Sequence, residues 1–290
     1  MRKQRILMRL GALLLAATAA LPALAGGDDA SPAAAAGRVE GEVRTELGHE
    51  AGSEAESEAG SEVGNATARP DTAPRAGWRP SPFEADYLVR YDGVPFTVTG
   101  TRSLARGTDG ALLFESSISS WILKVRESAS IRLDADGTLQ PVSYAYRQSG
   151  LGRKRTRLLD FDWATGTLHR GGDREKTVAL EGPVFDPVSW QIALQSDLAL
   201  GRGPVGTILE YPITDGGDVK LYSIAVRGRE RLELPGGAEE TVLVERLFEP
   251  DDQRTTRIWL APERDWLMVR LESTDDDGRT LSLSLKPPTT

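Results

Sequence analysis

The sequence contains no cysteine, which excludes disulfides, thiolate metal centres, cysteine nucleophiles and the acyl anchors that need a cysteine at a cleavage point. Histidine is nearly as scarce, with 2 in 290 residues. His49 stands in a polar tract, so His169 alone remains for the folding part, and neither a multi-histidine metal site nor a cofactor is expected. Excess basic charge is also lacking: 35 Lys and Arg against 43 Asp and Glu give a net charge of −8, which argues against nucleic acid as a partner. No segment after the N-terminus approaches the roughly 20 apolar residues of a membrane-spanning helix.

What is present begins with Arg2, Lys3, Arg5 and Arg9, an apolar run over residues 10–21, and Ala23-Leu24-Ala25. That is the pattern of a secretory signal over residues 1–25. Cleavage after Ala25 is expected to release a soluble periplasmic chain with no lipid anchor and no transmembrane segment. Residues 26–80 are Ala, Gly, Glu, Ser and Pro, with the near-repeat Glu54-Ala55-Glu56-Ser57-Glu58-Ala59-Gly60-Ser61-Glu62. Such a stretch cannot bury enough apolar surface to offset its ordering entropy and reads as a disordered acidic spacer.

Residues 81–290 read as one all-β domain. Phe83, Ala85, Tyr87, Val89 and Tyr91 alternate with polar residues, as do Leu281, Leu283 and Leu285, which is the period of a half-buried strand. Further strands are predicted over 96–104, 111–117, 122–133, 139–147, 155–163, 206–213, 219–232, 241–247, 255–260 and 266–272. Turn sequences such as Asp92-Gly93, Asp136-Gly137 and Pro235-Gly236-Gly237 separate them. The expected architecture is an antiparallel meander forming a strongly curved sheet or open barrel. One amphipathic helix is predicted against its mouth, with Asp186 as N-cap, Pro187 at N1 and Gly201 as the C-terminal stop.

Few residues suggest chemistry. Asp160 and Asp162 share one face of a predicted strand, an arrangement used in glycoside hydrolysis or cation binding; solvent-facing acids are the simpler reading. Asp275-Asp276-Asp277-Gly278 lacks the later ligands of a calcium loop and reads as a turn. His169 has no serine elbow beside it. Arg147, Arg153, Lys154, Arg155 and Arg157 are the one basic concentration, and Arg153, Lys154, Arg155 and Arg157 are candidate contacts to an anion or partner. Arg153, Arg155 and Arg157 share parity with Leu159, Phe161 and Trp163, so either a bulge intervenes or the strand runs from solvent into the core. Trp121, Phe161, Trp163, Trp190 and Trp259 are the candidate ligand-lining residues, although core packing accounts for aromatics equally well. Glu230, among apolar neighbours and flanked by Arg229 and Arg231, reads as a buried polar anchor.

Taken in order, Phe83-x-Ala85-x-Tyr87, Ser103-Leu104, Gly137-x-Leu139-x-Pro141-x-x-Tyr144, Asp160-Phe161-Asp162-Trp163, Asp186-Pro187-Val188-Ser189, Gly228-x-Glu230, Leu234-Pro235-Gly236, Trp259-Leu260-Ala261-Pro262 and Val269-Arg270 resemble the bacterial domain of unknown function 3108. Phe185 and Met268 depart from that pattern, which has Gln and Pro there. The resemblance implies an exported envelope β domain with no assigned activity. The expected function is non-enzymatic binding of an apolar or amphipathic envelope component, a lipid or lipid-linked glycan, in the concave sheet. An envelope protein-interaction module is the alternative, and a hydrolase built on Asp160, Asp162 or His169 ranks last.

Overall fold

The computed structural model describes residues 77–121, 123–134, 137–150 and 153–287; the expected signal, and the expected linker as far as residue 76, lie outside them. Strands are β1 (Phe83–Tyr91), β2 (Val98–Arg106), β3 (Leu112–Ser119), β4 (Leu123–Leu133), β5 (Leu139–Gly150), β6 (Arg153–Asp162) and β7 (Thr167–Gly172). After β8 (Lys176–Ala179) comes the helix α1 (Ser189–Ala199), then β9 (Ile208–Thr214), β10 (Val219–Leu234), β11 (Gly237–Leu247), β12 (Thr255–Ala261), β13 (Leu267–Thr274) and β14 (Thr280–Leu285). They form one antiparallel sheet of 14 strands in the order β8-β7-β6-β5-β4-β3-β2-β1-β14-β13-β12-β11-β10-β9, so the all-β meander is borne out.

Two strands were not foreseen. β7 and β8 are short and polar, with only Leu168 and Val178 as large apolar residues, and so lack a legible alternation. They extend the sheet beyond β6 to a free edge at β8, while β9 is the other edge.

A sheet this wide curls rather than lying flat. The curl brings β6 to the β9–β10 turn, where Arg157 Nη1 lies 2.7 Å from Asp215 Oδ2. Among the described residues the sheet nevertheless does not close by a ladder of hydrogen bonds. Inward-facing residues alternate through paired strands, with Tyr87 opposite Leu285, Val89 opposite Leu283 and Tyr91 opposite Leu281, all buried. Each large side chain so removed from water contributes about 1.5–3 kcal/mol.

α1 lies against the inner face. Asp186 Oδ1 accepts the backbone N–H groups of Val188 and Ser189, each at 2.9 Å, and Ser189 Oγ accepts the N–H of Asp186 at 3.2 Å. This reciprocal arrangement satisfies donors that a helix start leaves unpaired. At the other end, Gly201 has φ +74°, its N–H donates to Leu198 O, and the Arg202 N–H donates to Asp197 O. That is the glycine-dependent Schellman ending, so the predicted stop at Gly201 operates, whereas the N-cap is Val188 rather than Asp186, because Asp186 closes the turn that precedes the helix.

The predicted wet face of the helix does not exist. Of the 11 helix residues, all but Asp197 are buried, because the curled sheet surrounds the helix. Trp190 packs on Tyr211 and Tyr222 with ring centroids 6.0 and 5.7 Å away, and Tyr211 Oη donates to Asp197 Oδ2 at 2.8 Å. The helix therefore fills the concavity that the sequence reading set aside for a ligand.

Candidate functional site

Two regions bring polar and apolar groups together in ways that bear on function, one inside the sheet and one at its rim. Inside, Arg102 and Glu127 point inward and are buried. Arg102 donates to Gln191 Oε1 of the helix and to Met268 Sδ at 2.8 Å, with its guanidinium 5.0 Å from the Phe114 ring centre. Tyr144 Oη donates to Glu127 Oε1 at 2.7 Å, and Tyr87 Oη to Met268 O at 2.6 Å. Burial lowers the Arg102 pKa and raises that of Tyr144 well above the ordinary phenol value. Arg102, Glu127, Gln191 and Met268 line a cavity of about 20 Å³, the size of one water molecule. A lipid chain does not fit there.

The signal for this network is present in the alternation itself. Val98-x-Gly100-x-Arg102-x-Leu104 and Val125-x-Glu127-x-Ala129-x-Ile131 each place one charge on an otherwise apolar face. A charge so placed needs a partner, and the helix and Tyr144 supply hydrogen bonds.

At the rim, the start of β5, the β6–β7 turn and the loop leading to α1 enclose a pocket of about 350 Å³. Its walls include Leu139, Pro141, Trp163, Leu180, Val184 and Phe185. Asp162 builds the turn that carries Trp163: its Oδ1 accepts the N–H groups of Ala164 at 3.0 Å and Thr165 at 3.1 Å. Hydrogen bonding by Thr165 lowers the Asp162 pKa. Trp163 is then held from two sides, its Nε1 donating to Pro141 O at 2.6 Å and its ring stacking on Phe161 at 5.9 Å and 10°. The Leu180 N–H donates to Gly166 O at 2.9 Å, tying the loop to the turn, and Phe185 meets Tyr211 edge-on at 6.0 Å. The volume lies within the range of small-molecule sites. Leu180, Val184 and Phe185 sit in a loop without periodicity, so no sequence pattern marks them.

The five predicted aromatics do not converge. Phe161 and Trp163 are neighbours, whereas Trp190 is enclosed on the helix, its Nε1 donating to Pro187 O at 3.0 Å. Trp259 lies on the outer face, opposite Leu243 and Arg270, and its indole donates to Glu230. Glu230 thus anchors a tryptophan, but from an exposed position. Trp121 is 88% exposed in the β3–β4 turn.

The predicted basic contacts also part company. The β5–β6 register runs without a shift from Gly150–Arg153 to Ser143–Asp160, so β6 passes from solvent into the core with no bulge. Lys154 and Arg155 are exposed, Arg157 is engaged by Asp215, and the side chain of Arg153 lies outside the described residues. Asp160 faces His169 across β6 and β7, yet the His169 ring nitrogens lie 3.3 Å from Thr167 Oγ1 and 3.1 Å from Thr177 Oγ1. Among the described residues no group of three or more His, Asp or Glu is placed to hold a metal ion, and no helix is long and apolar enough to cross a membrane.

No curated protein matches the chain. Among solved structures, the crystal structure of a β-barrel-like protein of the domain of unknown function DUF1849 from Brucella abortus aligns with a TM-score of 0.46 at 11% identity. That alignment covers 71% of this chain and 96% of the other. The family model described as "Protein of unknown function (DUF3108)" matches residues 87–284, as the motif order implies, and the chain belongs to that family.

Proposed function

We propose that this protein is an exported, non-enzymatic binding module for an apolar or amphipathic small molecule of the cell envelope, such as an acyl chain, held in the rim pocket beside Trp163. The observation that carries this reading is the make-up of the rim pocket, whose walls include Leu139, Pro141, Trp163, Leu180, Val184 and Phe185. The inner cavity is about 20 Å³, whereas the pocket between Leu139, Trp163 and Phe185 is about 350 Å³. Concave, largely apolar pockets with few polar groups are the usual form of small-molecule sites. Export rests on the N-terminal pattern ending at Ala25, and its check is recovery of the processed chain by osmotic shock.

Native and denaturing mass spectra of detergent-free protein test the binding, together with titration by a dansylated fatty acid. The expected result is a released apolar species and saturable probe binding that Trp163→Ala weakens about tenfold, or 1.4 kcal/mol. Equal probe binding by Trp163→Ala and Phe185→Ala would refute the pocket assignment.

A protein-interaction module is the second reading, and the β9 edge supports it. Ile208, Val219 and Leu221 are exposed apolar residues on β9 and β10, beside an edge where Pro212 removes one backbone donor. Crosslinking through a photoreactive residue at Leu221 tests this, and an uncrosslinked chain in cells would count against it.

A further inference from the structure

The rim pocket leaves unexplained a second surface, on the outer face of β4, β5 and β6. Cross-strand register places Lys124 beside Ser149 and Ser149 beside Lys154, and in the next row Arg126 beside Arg147 and Arg147 beside Thr156. All four basic side chains are exposed. With strands about 4.8 Å apart, Lys124 and Lys154 stand roughly 10 Å from each other, within screening distance at moderate salt. Arg126 and Arg147 face one another directly, a like-charge pairing that destabilises a sheet. Glu115 answers Arg126 at 2.5 Å. This concentration of positive charge stands out in a chain of net charge −8.

The same hairpin presents an aromatic at its tip. Trp121 is 88% exposed, and Ser120 and Leu123 on either side of it are hydrogen-bonded to each other. The Ser120 N–H donates to Leu123 O at 2.8 Å, and the Leu123 N–H donates to Ser120 Oγ at 3.1 Å, closing the turn. The β1–β2 loop opens at the same end, because Gly100 pairs with Ile118 close to the β3–β4 turn, and it carries exposed Phe96. A soluble anion accounts for the charge but gives no role to an outward indole. A bilayer surface accounts for both, since its headgroup layer accommodates tryptophan and its anionic lipids attract Lys and Arg.

We infer that this end of the sheet docks reversibly on an anionic membrane surface, with Trp121 entering the headgroup layer and Lys124, Arg126, Arg147 and Lys154 facing anionic headgroups. This docking is independent of the rim pocket. The test is flotation of the purified protein with phosphatidylcholine vesicles with and without phosphatidylglycerol. Binding is expected only with phosphatidylglycerol and is reversed by salt. Lys124→Glu and Lys154→Glu each weaken it by more than the roughly fivefold that corresponds to about 1 kcal/mol per basic residue lost, and the double variant abolishes it. Trp121→Ala weakens binding and removes fluorescence quenching by brominated lipid.

Arg147→Glu provides the control for folding. It converts the like-charge pair into an ion pair with Arg126, so the melting temperature rises while vesicle binding falls. Equal binding to neutral vesicles, binding unchanged in the charge variants, or binding of a soluble polyphosphate with none to vesicles would each overturn the inference.

Discussion

The sheet has two joins, and they are made differently. Where β1 meets β14, the first and last strands of the domain pair over five residue positions, from Tyr87–Leu285 to Tyr91–Leu281. At the two free edges, β8 and β9, no such ladder exists among the described residues, and side chains and loops near them make the link. Arg157 reaches Asp215, Phe185 forms a short parallel bridge with Ile213, and Gly216 packs where an added Cβ would meet Arg170 Cδ at 2.6 Å and Leu159 Cδ2 at 2.7 Å. A backbone ladder behind a buried apolar face belongs to the part of a protein that opens only on global unfolding. A join made, among the described residues, of an ion pair, a short bridge and the packing around Gly216 opens locally, and the rim pocket lies beside it.

The largest expected effect tests the first join. Tyr87 is fully buried, and its hydroxyl donates to Met268 O at 2.6 Å. Burial raises the Tyr87 pKa to about 12. Tyr87→Ala removes an aromatic from the inner face and leaves a carbonyl without its donor, for a loss of about 3–5 kcal/mol. Urea unfolding should show one cooperative transition at a much lower midpoint. A variant that lost less than 1 kcal/mol would mean that the β1–β14 join is not part of the global core.

The same contrast marks what was legible in the sequence. β1 and β14 alternate strictly, and the helix carries Asp186 and Gly201 at its ends, so local chemistry announces them. β7 and β8 have too few apolar residues to show a period. The burial of Gln191, Gln195 and Ser196 depends on the sheet curling around the helix, which no helical periodicity encodes. Trp163 was legible as an aromatic at a strand end, but its pocket is completed by Phe185 from a loop brought there by tertiary structure. Arg157 looked like a solvent contact because its partner, Asp215, is far away in sequence.

The second test concerns the chain between the joins. Asp186 starts the helix next to the open join, is fully buried, and has its pKa raised from 3.8 to about 6 by burial, partly offset by the N–H groups of Val188 and Ser189. Its Oδ2 has no partner within the described protein. Because the folded value lies above the unfolded one, the fold prefers the protonated carboxyl. Stability is therefore greatest below pH 4 as far as this group is concerned and declines as pH rises through 6, by up to about 3 kcal/mol. Asp186→Asn keeps the accepting oxygen and removes this titration. Urea midpoints from pH 4 to pH 7 should fall for the natural chain relative to the variant, and parallel profiles would show that the buried carboxyl does not titrate in this window.

The smallest global effect probes the open join directly. The side chains of Arg157 and Asp215 are 20% and 13% exposed, between the exposed pairs that contribute almost nothing and the enclosed ones whose disruption is severe. Burial lowers the pKa of nearby Arg170, the charge of Arg157 lowers it further, and Asp215 acts in the opposite direction. Asp215→Asn thus removes the carboxylate that pairs with Arg157 and offsets the positive charge near Arg170. The expected global loss is only about 1–2 kcal/mol. Locally the change should be plain: amide exchange in β8 and β9 accelerates, while β1 and β14 exchange as before. If all four strands accelerated together, the two joins would belong to one cooperative unit, and entry of the proposed ligand beside Trp163 would require global rather than local opening.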